Sequence, residues 1–400
     1  MSHPIGHGHL PSHPGHPPRA LGPAPRNHRQ NGAGTVVALL VMGLLLLVVV
    51  GVVGVEVGAD ALPAAVLLAF VPLTGVMAAV RWVDRWEPEP WPALAVAFGW
   101  GASVSVLVAL VLNTGAIALL VASGSSEWVA SAYGATVVAP VVEESIKALG
   151  VLLIFLVWRR HFDGPVDGLV YAATVAAGFA FVENVLYFGT ALAEVSGPGQ
   201  AIGPGVATVF VLRAVLSPFA HLLFTACVGI GLGLAARHRS RSLWLLTFPL
   251  GLLVAVLLHG LWNGSAVLST EADFFLLYVV VQMPIFFGVV GLVAWLRRRE
   301  AAIVRLRLTE YAAAQWFAPA EVSILASLGE RRRAVAWASR QGGRAAGRAM
   351  RRFQTVATRL AFQRQRLLTH REDLRTVQDE AALLGDLLAA RQELRRTLAV

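Results

Sequence analysis

Val141-Val142-Glu143-Glu144-Ser145-Ile146-Lys147 places three charges inside an apolar run that extends from Trp128 to Trp158. An ionised side chain near the middle of a bilayer-spanning helix costs roughly 2.5 to 3.5 kcal/mol even on the most lenient insertion scale, so three of them offset most of the favourable insertion of this segment. On a helix, Glu143 and Lys147 are four residues apart and Glu144 and Lys147 three, so the ammonium reaches either carboxylate and one Glu is left less firmly held. Lys147 is also the only lysine in the chain. Two readings are open for this knot of charge: an ion pair that joins two helices, or a site.

Outward from this stretch, the composition decides the class. Of the 400 residues, 56% are hydrophobic and 14% charged, with mean hydropathy +0.65, far from the roughly 25% charged residues of soluble domains. The fold class is therefore all-α and polytopic. A single cysteine, Cys227, excludes an intrachain disulfide framework and a Cys-based metal cluster.

Segments of about 20 apolar residues are long enough to span. They are predicted at Thr35 to Val55, Ala61 to Val80, Pro92 to Val121, Trp128 to Trp158, Val166 to Leu192, Val206 to Ala236, Leu243 to Ala266 and Phe274 to Leu296, about eight transmembrane helices in a membrane domain over residues 35–296. The first is longer than the apolar region of a signal peptide, although Ala59-Asp60-Ala61 resembles a small-residue cleavage site. Arg clusters precede the first span and follow the second, fourth, sixth and eighth. The loops Glu56 to Asp60, Ser123 to Glu127, Ala193 to Gly205 and Leu268 to Asp273 carry no Lys or Arg. By the positive-inside rule both termini are expected in the cytoplasm.

The two ends differ from the middle. Residues 1–34 are rich in Pro, Gly and His, hold almost no large apolar residues and read as a disordered tail, with weak metal chelation by its histidines as the lesser alternative. Residues 297–400 hold 21 Arg against 10 acidic residues in helical periodicity broken at Gly342-Gly343. They read as a cytosolic basic helical tail that lies near the anionic lipid leaflet or meets an acidic cytosolic partner. No motif points to specific nucleic acid binding.

Further ionisable residues lie deep in apolar sequence: Glu183, His221 and His259. Counted at about 1.5 Å per residue from the basic end of each helix, Glu143, Glu144, Glu183, His221 and His259 all fall about 22 to 26 Å in. Four helices thus bring acid and imidazole to one layer. His259 and Asn263 are four apart and share a helix face, so both are expected to point into one cavity. Arg213, two turns before His221, is expected to snorkel to the interface. Such a layer suits a Glu acting as general base on water with His and Asn stabilising an oxyanion. It equally suits Zn²⁺ held by His221, His259 and Glu144. A proton- or cation-coupled secondary transporter uses the same residue types, but no internal repeat is evident. A membrane scaffold displaying the basic tail is a third reading.

From about Arg81 to Trp295 the chain resembles the PrsW family of intramembrane proteases, relatives of the CAAX-processing and bacteriocin-processing membrane proteases. The resemblance is carried by Asp84-Arg85-Trp86-Glu87-Pro88-Glu89-Pro90-Trp91, by Glu143-Glu144-x-x-Lys147 and by Asp167-Gly168-Leu169-Val170-Tyr171. It continues through Gly178-Phe179-Ala180-Phe181-Val182-Glu183-Asn184, the run from Arg213 to His221, and His259-x-x-x-Asn263. It implies a multi-pass protease of the bacterial cytoplasmic membrane that cuts a single-span membrane protein, with anti-sigma factors as the best-known substrate type and envelope stress signalling as the context. By similarity, Glu143 is the general base with Glu144 paired to Lys147, His221 orients the water, and His259 with Asn263 holds the oxyanion. Glu183 sits where the CAAX-processing relatives often carry a His.

Overall fold

The structure, a computed structural model, describes residues 32–159, 161–194, 204–238, 240, 242–369 and 374–398. The expectations for residues 1–31 lie outside these residues. Gly32 to Gly34, assigned by the sequence to the tail, already belong to the first helix. Every regular element among the described residues is helical. The chain divides into two compact units, one over residues 27–293 and one containing residues 294–400.

Eight long helices run through the first unit: α1 (Gly32–Val57), α2 (Leu62–Val83), α3 (Trp91–Ala122), α4 (residues 127–157), α5 (Pro165–Glu194), α6 (Gly205–Ala236), α7 (Trp244–Leu268) and α8 (Glu271–Ala313). Seven are long and apolar enough to cross a membrane. The eighth, α4, is of comparable length but holds Glu143, Glu144 and Lys147. The last is longer than the expected span, since its helix ends at Ala313 and not at Leu296.

The centre of this unit is α5, buried along most of its length and packed against α2, α3 and α6. Lipid supplies little hydrophobic drive for helix association, so close packing through small residues takes its place. Gly164-x-x-x-Gly168 faces Gly229-x-x-x-Gly233: a Cβ added at Gly168 meets the Gly229 carbonyl oxygen at 1.9 Å, and one at Gly229 meets the Gly168 oxygen at 2.1 Å. The same device joins α5 to α3, where a Cβ at Gly101 stands 1.9 Å from the Val175 oxygen. Leu40, Leu44 and Leu47 of α1 and Leu246, Leu250 and Leu257 of α7 point outward, as lipid-facing positions do.

Several helices depart from regular α geometry near the charged layer. Wider π turns occupy Gly134–Val138 and Val211–Leu216, a distortion frequent at functional sites. The expected single span from Val206 to Ala236 is broken after Leu216. Pro218 has no N–H to donate and disfavours helical geometry at the preceding residue, and Ser217 accordingly takes φ −126° and ψ 26°. His221 follows within the first turn of the resumed helix.

The loop after α2 is pinned by carboxylates. Asp84 accepts the Glu89 backbone N–H at 3.0 Å, and Glu89 accepts the hydroxyl of Tyr171 from α5. Burial lifts the Asp84 pKa to about 6, against the opposing pull of the Glu89 amide and Arg81. Burial first, and then Asp167, push the Glu89 carboxyl upward.

The second unit contains the end of α8 with α9 (Pro319–Leu325), α10 (Leu328–Thr369) and α11 (Leu374–Leu398). Val304, Leu308, Leu325, Leu360 and Leu387 form its interior. Tyr311 donates to Glu380, which also faces Arg364 at 3.6 Å. The helical path breaks where the sequence placed it, at Gly342 and Gly343, the latter at φ +68°, a left-handed conformation that favours glycine.

Two outcomes are expected. Gly229→Val destabilises the membrane unit by at least the ~1 to 3 kcal/mol of an overpacked core, whereas Gly75→Ala, which meets nothing within 4 Å, does not; thermal unfolding in detergent measures both. For Asp84 the folded pKa lies above the ordinary 3.8, so folding is favoured with the carboxyl protonated and this contribution is lost as pH rises through about 6. Relative to Asp84→Asn, the wild type loses melting temperature between about pH 4 and 6 and runs parallel above it.

Candidate active site

The three charges of α4 meet residues from α3, α5, α6 and α7 at one place. Lys147 Nζ, with no exposed surface, lies 3.0 Å from Glu144 Oε1, 3.4 Å from Glu143 Oε2 and 3.3 Å from His221 Nδ1. Its fourth side rests on the Phe179 ring, 3.7 Å from the centroid. An ammonium has three protons and no lone pair, so each polar contact is a donated hydrogen bond. His221 Nδ1 therefore accepts, and the ring proton sits on Nε2, which faces Glu183 Oε2 at 2.7 Å.

Glu144 is saturated. Besides Lys147, it accepts from Thr225 Oγ1 at 2.8 Å and faces His259 Nδ1 at 3.1 Å. A carboxylate only accepts, so His259 carries its proton on Nδ1 and presents the lone pair of Nε2, 4.0 Å from Glu143 Oε2. The His259 ring stacks on Phe224. Glu183 is held by Arg213 as well as His221.

Glu143 is bound more loosely. Its Oε1 accepts from Asn113 Nδ2 at 3.3 Å, its Oε2 faces Lys147 at 3.4 Å, and it lines a cavity of about 340 Å³. Glu183, Asn113 and Tyr187 share that cavity wall, which continues to Glu56 and Thr190 near the ends of α1 and α5. With the imidazoles neutral, three carboxylates stand against two permanent cations, Lys147 and Arg213. A buried negative charge without a counterion is costly. A proton on Glu143 or a bound cation relieves it.

A metal fits the residues present. Glu143, His221 and His259 each offer a ligand atom, all within 4.8 Å of one another, and two imidazoles with one carboxylate are the donor set of a catalytic zinc site. The Glu144 contact to His259 Nδ1 is the outer carboxylate that orients such a ligand. Coordination by His221 exchanges one of its two present contacts.

The structure thus brings Glu143, Glu144, Lys147, Glu183, His221 and His259 together, with three departures from the sequence reading. The carboxylate grouped with the two histidines is Glu143 in place of Glu144, because both oxygens of Glu144 are already engaged. One N–H of the Asn263 amide is turned to the Ala135 carbonyl in the π turn at 2.8 Å. Arg213 does not snorkel: it binds Glu183 and donates to Asn184 Oδ1 at 3.0 Å, since a buried carboxylate is a nearer partner than the interface. Asn113 and Thr225 were not anticipated. Thr225 stands four residues after His221 on the same helix face, a spacing that signals it; Asn113, beside Thr114 in an otherwise apolar run, has no such signal.

A family model described as "PrsW family intramembrane metalloprotease" matches residues 89–289. The chain belongs to that family. Protease PrsW of Clostridioides difficile is 30% identical over 215 residues, covering 54% of this chain and 84% of that protein. The Bacillus subtilis relative of the same name is 38% identical over 124 residues, 30% of this chain and 49% of that protein. In Oceanobacillus iheyensis it is 34% identical over 113 residues, 28% and 45%; the chain spans about half the length of these last two. No solved structure matches it. PrsW membership makes the protein a multi-pass intramembrane endopeptidase and decides against the transporter reading. The second unit lies beyond the matched residues.

Lys147→Met leaves Glu144 buried without its cation, a change worth about 3 to 5 kcal/mol. Thr225→Val, which removes one neutral donor to the same carboxylate, is expected to cost about 1 to 3 kcal/mol. Thermal unfolding of both variants beside the wild type checks the order.

Proposed function

We propose that Glu143 activates water for hydrolysis of a peptide bond in a single-span membrane protein, a membrane-anchored anti-sigma factor being the substrate type that the family resemblance implies. The observation that carries this reading is the inequality among three buried carboxylates. Glu144 is saturated by Lys147, Thr225 and His259, and Glu183 is bound by Arg213 and His221. Glu143 alone combines longer contacts with a place on the cavity wall. A base must be within reach of its water and free to take the proton.

The neighbours divide the remaining work. Lys147 and Asn113 hold the Glu143 carboxylate toward the cavity. His259 Nε2 stands 4.0 Å from Glu143 Oε2, and from there its ring, when it carries a proton on that nitrogen, donates to the oxyanion of the attacked carbonyl. Glu183 fixes the His221 tautomer from one side and Lys147 from the other. Glu143, His221 and His259 are the residues that would hold a divalent ion, zinc by donor type. Such an ion, when bound, supplies a Lewis acid and lowers the pKa of water. In the proposed topology the Arg-rich loops face the cytoplasm, so the cavity end at Glu56 and Thr190 opens away from it, and cleavage falls in the outer half of the substrate span.

The basic tail completes the proposal. Arg344, Arg348, Arg351 and Arg359 fall on one exposed face of α10, suited to anionic lipid headgroups or an acidic cytosolic partner.

The test is cleavage of a panel of single-span peptides by the purified protein in lipid. Glu143→Gln keeps the carboxylate's shape without its basicity, and it and His259→Ala are each expected to lower the rate by about 10²-fold or more while remaining folded, with bound zinc assayed in parallel. Wild-type rates in Glu143→Gln contradict the assignment.

A further inference from the structure

Asn113 carries an unsatisfied group at the reaction cavity. It lies on α3 in Ala109-Leu110-Val111-Leu112-Asn113-Thr114, and its side chain lines the cavity beside Glu143 and Glu183. Nδ2 donates to Glu143 Oε1. Oδ1 is closed off from solvent and accepts no hydrogen bond. A buried acceptor left without a donor costs about 1 to 3 kcal/mol.

The missing donor has a natural source in the reaction. Most of the cavity wall is apolar, with Val52, Val106, Leu110, Phe179 and Leu186, and suits an apolar chain segment. A peptide bond within a helix has its groups committed to i→i−4 hydrogen bonds, so attack on it needs a locally unwound strand. Unwinding leaves backbone N–H groups without the helical acceptors that paired them. Asn113 lines the space such a strand enters, and a turn of its side chain brings the unpaired Oδ1 to a stranded N–H. Asn263, the amide that spacing nominated, turns one of its two N–H groups to the Ala135 carbonyl.

Resting on the peptidase reading above, we propose that Asn113 is a substrate-binding residue. Its Oδ1 accepts one backbone N–H of the unwound substrate strand beside the scissile bond, and its Nδ2 keeps Glu143 aimed across the cavity. Binding thus completes the hydrogen bonding of Asn113 and recognises the substrate by its unwound backbone, with little regard to side-chain sequence.

The experiment uses the full-length protein in lipid vesicles and a synthetic single-span peptide of Leu and Ala with a Gly-Ser pair in one half, flanked by a donor and a quencher. Each amide near the cleaved bond is replaced in turn by an ester, which keeps the shape and removes one N–H. One ester is expected to lower wild-type kcat/KM by about tenfold, and the same ester to leave Asn113→Leu, already slower on the all-amide peptide, unaffected. A merely structural role for Asn113 produces no such coupling. If Asn113→Leu fails to fold, Asn113→Ala carries the same comparison. Equal ester losses in wild type and variant overturn the proposal and leave the peptidase reading intact. Failure of the wild type to cleave the all-amide peptide counts against the peptidase reading, and the role of Asn113 falls with it.

Discussion

An ammonium buried in a protein that spans a membrane has to be enclosed by its own acceptors. Lys147 meets this constraint with Glu144, Glu143 and His221 at 3.0 to 3.4 Å and an aromatic ring on its remaining side. Those partners come from α4 and α6, with the ring from α5, and Glu144 then extends the network to His259 on α7. Four helices are tied through one cation. Removing any member leaves a charge or an acceptor bare, which is far more costly than the modest net gain of forming the pair. The arrangement also creates a difference between chemically identical groups: of two adjacent glutamates, one is used up in holding the layer together and the other faces open space.

That layer depends on backbones that approach closely. Gly168 and Gly229, and Gly101 and Gly178, let α6 and α3 lie against α5 with carbonyls where side chains would otherwise stand. The distances between Glu143, Glu183 and His221 follow from this packing. The π turn before α4's charged stretch and the break at Ser217 to Phe219 adjust the aim of Glu143 and His221 locally. Rigid packing and local irregularity thus have separate roles, the first setting helix separation and the second side-chain direction.

Much of this was legible in the residues themselves. Charge inside an apolar run marks α4 at once, and counting along helices brings Glu183, His221 and His259 to the same depth, because rise per residue is nearly constant. What counting does not carry is the direction of a side chain whose partner comes from elsewhere. Asn263 shares a helix face with His259 yet donates to a carbonyl in a π turn, an irregularity with no clear mark in sequence. Arg213 was expected to reach for the interface because its pairing with Glu183 depends on how α6 meets α5. Asn113, with only Thr114 beside it in an apolar segment, becomes informative only when Glu143 stands opposite.

The central claim is that the charged layer is a reaction centre supplied with water through the cavity between Glu143 and Thr190. Its most direct measurement is thiol labelling in intact vesicles of known orientation, with Cys227 replaced by Ser and single cysteines introduced at Thr114 and Thr190. A membrane-impermeant maleimide should modify both from the face opposite the Arg-rich loops, and addition of a single-span substrate should slow the reaction. Labelling only from the Arg-rich side, or none at either position in folded protein, contradicts the account.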